Sequence, residues 1–202
     1  RFPSAAVLIV MDTSGSMGMP EDGYTKIELA AEAGCAIVDL LQPHDSVGFV
    51  ASDPAPTQVA PMSKLTAKEQ IKAQSRSVCA GGGGISVFPS LQAAYGILQD
   101  DPSPVRHVIM LADGSDCDEQ PGSVEITRQM AGERITVTTV AFGDGPHVPF
   151  LKDVAAAGLG EFYLTASARD VKGIFTREAL KVAKSVLVEE SFRARPAQAS
   201  EL

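Results

Sequence analysis

The sequence predicts a doubly wound α/β domain: a mostly parallel central sheet of about six strands with one antiparallel edge, and helices on both faces. Three observations predict it. Short, largely apolar runs such as AAVLIVM (5–11), HVIMLA (107–112) and ITVTTVAF (135–142) have the character of strands buried on both faces, the mark of a parallel sheet. Helix-period segments stand between them, so parallel strands are joined by crossovers. With 202 residues the chain suits one domain with a sizeable core.

The elements follow in order. AAVLIVM opens the sheet. Lys26 to Leu41 places Ile27, Ala30, Ala31, Gly34, Ile37, Val38 and Leu41 on one face, and Pro43 ends it. SVGFVAS (46–52) is a similar but weaker strand. After it, DPAPTQVAPMS reads as a hairpin feeding an edge strand near Gln58 to Pro61, since edges tolerate proline and central strands do not. Pro89 to Leu98, Val124 to Ala131, Val148 to Ala157 and Val171 to Leu187 are further helices, bounded by Pro, Gly or Asp. From Glu190 onward, ESFRARPAQASEL loses apolar periodicity and reads as a linker or tail to a further module, which leaves 1–189 as the domain. The opening Arg-Phe-Pro, without an initiator Met or signal-like segment, suggests a piece cut from something longer.

The totals exclude several function classes. No apolar stretch approaches the roughly 20 residues that a membrane-spanning helix needs. The formal charge is −8, with 17 Lys+Arg against 25 Asp+Glu, and acidic residues gather between Asp113 and Glu119. That balance argues against nucleic acid and anionic lipid, which need clustered cations, and makes a cation the natural ligand. Cys35, Cys79 and Cys117 lie far apart, with no CxxC and no His at zinc spacing. Their odd number implies a free thiol.

In such sheets ligands bind beyond the carboxyl ends of the strands, where strand order reverses. Asp12 ends the first apolar run, and Asp12, Ser14 and Ser16 follow the pattern D-x-S-x-S. A loop leaving the sheet can point alternate side chains the same way, bringing a carboxylate and two hydroxyls together. Oxygen-only donors suit a hard divalent cation, Mg²⁺ above all, which keeps several waters and asks for few carboxylates. Asp113, at the end of HVIMLAD, would add a second carboxylate from another strand. The same residue types also cap helices and satisfy turns, so D-T-S-G-S alone is equally the sequence of a helix N-terminus.

VLIVMDTSGSMG, the Ala-rich helix, SVGFVASD, the glycine loop before FPSL, HVIMLADG and TVAFGDG occur in that order across nearly the whole chain. In this the chain resembles von Willebrand factor type A domains. The resemblance implies a Rossmann-like fold and a metal-ion-dependent adhesion site holding Mg²⁺ or Mn²⁺, with Ca²⁺ also considered. It implies Asp12, Ser14 and Ser16 as the first ligands and Asp113 as the last, with an open coordination position for an acidic residue of a partner protein. One position departs from the family pattern. In VCAGGGGISVFPSL, Ile85 stands where similar members have threonine, and isoleucine cannot coordinate a cation. Either Ile85 packs inward and water fills the position, or the glycine loop re-registers by one residue and offers Ser86. Asp116 and Asp118 alternate in the acidic loop 113–122, as in a Ca²⁺ loop, but the EF-hand spacing is missing and a solvated acidic loop beside the metal is the better reading.

The glycine run lacks the Gly-Lys-Ser/Thr of a phosphate-binding loop, and no G-x-S-x-G elbow is present. His44, His107 and His147 lie away from D-x-S-x-S in sequence. The expected role is therefore a non-enzymatic protein-binding module, for adhesion or scaffolding. The alternatives are a metal-free scaffold, for which Ile85 speaks, and more remotely a hydrolase. GGGGISVFPSLQAAYGIL, VRHVIMLADGSD and IFTREALKVAKSVLVEESFR are further similar to bacterial members in membrane proteins with a glutamine-amidotransferase-like region. That likeness implies an excised domain of a membrane-tethered parent, on either side of the membrane, acting in assembly or sensing at the envelope.

Overall fold

The computed structural model describes residues 4–114, 117–118 and 120–191. The chain forms β1 (Ala5–Asp12), a 3-10 turn (Gly15–Gly18), β2 (Pro20–Glu21), β3 (Tyr24–Thr25), α1 (Lys26–Leu40), β4 (Ser46–Ser52) and β5 (Pro56–Lys64). There follow α2 (Lys68–Arg76), β6 (Ile85–Ser86), α3 (Val87–Leu98), β7 (Val105–Asp113), β8 (Cys117–Asp118) and α4 (Ser123–Gly132). β9 (Ile135–Phe142), α5 (Val148–Ala157), β10 (Leu159–Thr165) and α6 (Ala168–Ser191) complete the described chain.

The main sheet has six strands in the order β10-β9-β7-β1-β4-β5, parallel except for the edge strand β5, which runs antiparallel to β4. All eight residues of β1 are buried, as a central parallel strand requires. Its alternate side chains feed two separate cores. Ala5, Val7, Ile9 and Met11 pack with Ile27, Ile37, Ile71 and Phe175 on the face covered by α1, α2 and α6. Ala6, Leu8 and Val10 pack with Leu91, Leu98, Met130 and Leu151 on the face covered by α3, α4 and α5. From β1 the chain passes to β4 on one side and later to β7 on the other, so the strand order reverses beside β1.

β4, β9 and α5 fall where the sequence places them, while β1, β7, α1, α3 and α4 differ by one or two residues at their ends. Besides the 3-10 turn and the two-residue strands β2, β3, β6 and β8, two longer elements are additional. α2 reads KEQIKAQSR and buries Ile71 and Ser75, too few for a hydrophobic stripe; Lys72 instead pairs with Asp39 at 3.0 Å. β10 is an edge strand whose Leu159 and Leu164 are exposed, so burial leaves no apolar pattern. α6 continues through Glu190 to Ser191, one turn further than the expected end at Leu187, and the rest of the expected tail lies outside the described residues. No helix among the described residues is long and apolar enough to cross a membrane.

At the amino ends of the strands, α6 is fastened through a buried carboxylate. Glu178 is 2% exposed. Thr138 Oγ1 donates to it at 2.8 Å, Tyr163 Oη at 2.7 Å, and Lys181 Nζ stands 3.0 Å away. His107 Nε2 lies 3.3 Å from the same group. Burial pushes this carboxyl up, but the bonds from His107, Tyr163, Lys181 and Thr138 outweigh it and hold it at about 2. A carboxyl held below its ordinary value of 4.5 stabilises the fold above that pH and loses its contribution as pH falls towards 2. Glu178→Gln is expected to lower stability at neutral pH by about 3 kcal/mol, because it strands buried donors. Urea melts should show the gap to wild type constant above about pH 5 and shrinking below pH 4.5.

Candidate functional site

The loop after β1 is shaped by its own aspartate. Asp12 Oδ1 accepts from the Ser14 amide at 2.7 Å, which closes the turn. Asp12 Oδ2 accepts from the Asp113 amide at 2.9 Å, which joins the end of β1 to the end of β7. Ser14 and Ser16 Oγ atoms lie 3.1 Å apart, and Ser16 Oγ donates to Asp113 Oδ2 at 2.9 Å. The four residues read from sequence, Asp12, Ser14, Ser16 and Asp113, therefore meet at the carboxyl ends of two adjacent strands, where strand order reverses. Asp12 and Ser14 are fully buried, while Ser16 and Asp113 are half-buried and form the outer part of the group.

Burial pushes the Asp12 carboxyl above its usual range; hydrogen bonds from Ser14 and Asp113 oppose the shift, and the negative charge of Asp113 adds to it. Among the described residues no lysine, arginine or histidine forms an ion pair with Asp12. Two neighbouring carboxylates in a shielded corner are costly unless a positive charge joins them. The donors are all oxygen, which fits a hard divalent cation. Among the described residues no group of three or more His, Cys, Asp or Glu side chains is placed to hold a metal ion; the donors here are two carboxylates and two hydroxyls.

The remaining sequence candidates fall elsewhere. Ile85 is fully buried in the α3, α4 and α5 core, and its short strand pairs Ile85 with Cys117 and Ser86 with Asp118. The inward-packing reading of Ile85 is the one the structure has. Ser86 is 6% exposed at the start of α3, its carbonyl accepting from Ser90 Oγ at 2.7 Å. No hydrogen bond among the described residues links Ser86 to Asp12, Ser14, Ser16 or Asp113, and the one-residue slip that would offer it is not seen. Asp116 lies outside the described residues. Two residues missed in the sequence also touch the site's loops: Ser52, which ends β4 and whose carbonyl accepts from the Thr13 amide at 3.4 Å, and Asp53 beside it, whose carboxylate accepts from the Gly83 amide. Asp53 sits in DPAP, where an aspartate is expected from turn chemistry alone.

A family model described as the von Willebrand factor type A domain matches residues 7–115. A UPF0353 protein of Nocardia farcinica is 26% identical over 206 residues, covering 85% of this chain and 61% of that protein. The chain thus spans about three fifths of that relative's length. A solved von Willebrand factor type A structure from Catenulispora acidiphila superposes with a TM-score of 0.79 at 22% identity, covering 89% of this chain and 43% of that one. Proximal thread matrix protein 1 from the mussel byssus, described with a zinc-occupied MIDAS motif, gives 0.71 at 15% identity, covering 88% and 46%.

Because Ile85 fills core volume, Ile85→Thr is expected to cost about 2 kcal/mol, through lost apolar burial and a hydroxyl without a polar setting. Equilibrium denaturation measures it. A loss below about 0.5 kcal/mol, the size typical of surface changes, would place the side chain outside the core.

Proposed function

We propose, from the premise that this chain belongs to the von Willebrand factor type A domain family, that it is a non-enzymatic binding module. In this reading Asp12, Ser14, Ser16 and Asp113 hold a divalent cation, Mg²⁺ in the first instance and Mn²⁺ or Ca²⁺ as substitutes, and a carboxylate of a partner protein completes the coordination. The observation that carries it is the meeting of the Asp12 and Asp113 carboxylates around the Ser14 and Ser16 hydroxyls, with burial opposing the Asp12 charge. The zinc-occupied motif described for the mussel protein supports the same use of the fold.

The chain's own residues divide the work. Asp12, fixed by two backbone amides, supplies the buried charge and orients the loop. Ser14 and Ser16 supply neutral donors, so the two carboxylates balance a divalent cation without making the site anionic towards a further carboxylate. Asp113, half-buried, borders the face open to a partner. When bound, the cation supplies Lewis-acid affinity for an incoming carboxylate. The 3-10 turn and the β2–β3 hairpin carry exposed Met19 and Tyr24, which provide apolar contact area nearby. We further place the module in a membrane-tethered parent protein, acting in assembly or sensing.

The burial of Ile85 favours one second reading, a metal-free scaffold whose interface lies elsewhere. Calorimetry of the chelator-stripped chain with Mg²⁺ and Mn²⁺ separates the two. Binding is expected for wild type and not for Asp12→Ala. A cation at 100 times its dissociation constant should stabilise wild type by about 2.7 kcal/mol, read as a rise in melting temperature. Absence of both heat and thermal shift at millimolar cation would sink the cation reading.

A further inference from the structure

A third strand end adjoins the candidate site. β4 lies beside β1 with Ser52 level with Asp12, and Asp53 follows directly. Both Asp53 carboxylate oxygens accept from the amide of Gly83, at 3.0 and 3.1 Å. The glycine run is shaped around this carboxylate. A Cβ added at Gly81 would stand 2.1 Å from Asp53 Oδ2, and one at Gly83 would stand 2.3 Å from Oδ1. At Gly82 nothing would come within 4 Å. A side chain at Gly81 or Gly83 would therefore displace the Asp53 carboxylate from its place against the loop.

The same loop is stitched to D-x-S-x-S by backbone alone. The Gly81 amide donates to the Thr13 carbonyl, and the Gly15 amide donates to the Gly83 carbonyl at 3.4 Å. Below it, the Ser52 and Ser90 hydroxyls lie 2.5 Å apart, and Ser90 holds the Ser86 carbonyl at the start of α3. The end of β4 thus grips the glycine loop through Asp53 and the following helix through Ser52. Ile85, between these grips, is turned into the core and offers the loop no polar anchor.

We propose that Asp53 is a positioning residue of the candidate cation site. It seats the Gly81–Gly83 backbone against Thr13 and Gly15, the task that a coordinating side chain at position 85 would otherwise perform. Its carboxylate meets the loop at the Gly83 amide, so its action on the site runs through the loop backbone. The consequence is a site whose walls are set before a cation arrives. The inference rests on the cation reading given above for its link to binding, while the loop clamp itself is a property of the metal-free chain.

Amide hydrogen exchange followed by NMR on the chelator-stripped chain tests it, with Mg²⁺ titrated afterwards. In wild type the Gly81, Gly83 and Gly15 amides should be protected without metal. In Asp53→Ala their exchange should speed up about 10-fold, in line with a lost hydrogen bond to a charged group, while amides of β1 and β9 keep wild-type protection. Gly81→Ala, which evicts the carboxylate without removing its charge, should reproduce this, and Gly82→Ala should not. Mg²⁺ affinity should fall about 10-fold in Asp53→Ala and recover in part in Asp53→Glu. Unchanged Gly83 protection in Asp53→Ala, or a loss that spreads equally into β1, overturns the clamp. A wild type that ignores Mg²⁺ yet shows Asp53-dependent protection overturns the cation reading and keeps the clamp. A wild type that binds Mg²⁺ while its affinity and loop protection are indifferent to Asp53 does the reverse.

Discussion

The carboxylate of Asp12 is the constraint around which this molecule is arranged. It lies fully buried at the end of the central strand and accepts amides from its own turn and from the end of the neighbouring strand. Those bonds set the direction in which the chain leaves the sheet, and so decide where Ser14 and Ser16 stand. Holding a charged group there requires a rigid surround. β1 provides it, buried along its whole length and shared between two cores, so the loop it ends in has little freedom to relax around the charge.

A comparison within the fold shows how unusual that environment is. Glu178 is equally removed from solvent, yet it is surrounded by donors that include Lys181 and His107, and its acidity increases. Among the described residues Asp12 receives neutral donors alone, and it faces a second carboxylate; its acidity decreases. The first is a completed interaction whose effect is to fasten α6 to the sheet. The second has its geometry complete and its charge uncompensated, the condition in which an external cation gains most from binding. β7 reaches both places, with His107 near one end and Asp113 at the other.

Much of this is legible in the sequence because burial on both faces leaves an uninterrupted apolar run in β1 and a largely apolar one in β9, and because D-x-S-x-S keeps its carboxylate and hydroxyls at a fixed short spacing. α2 and β10 leave no such trace, since each buries few side chains and is held by ion pairs or by edge pairing. The meeting of Asp12 with Asp113 follows from strand order, which the apolar runs do not fix and which the resemblance to von Willebrand factor type A domains supplies. The seat of the glycine loop does not follow. Asp53 has the sequence context of an ordinary turn residue, and its contact with Gly83 bridges segments that only the tertiary fold brings together.

Ile85 is best understood through that same contact. A polar side chain at this position would have to turn away from the core to reach the site, leaving the α3, α4 and α5 face short of volume; isoleucine fills that volume and leaves the loop without a polar anchor. An unanchored run of four glycines would carry a large conformational entropy, which any ligand bound against it would have to overcome. A carboxylate from β4 removes that freedom in the folded chain itself. The apolar residue and the clamp are therefore complementary: with Asp53 holding the backbone, position 85 is available to the core, and the site can rely on two carboxylates and two hydroxyls standing on already ordered walls.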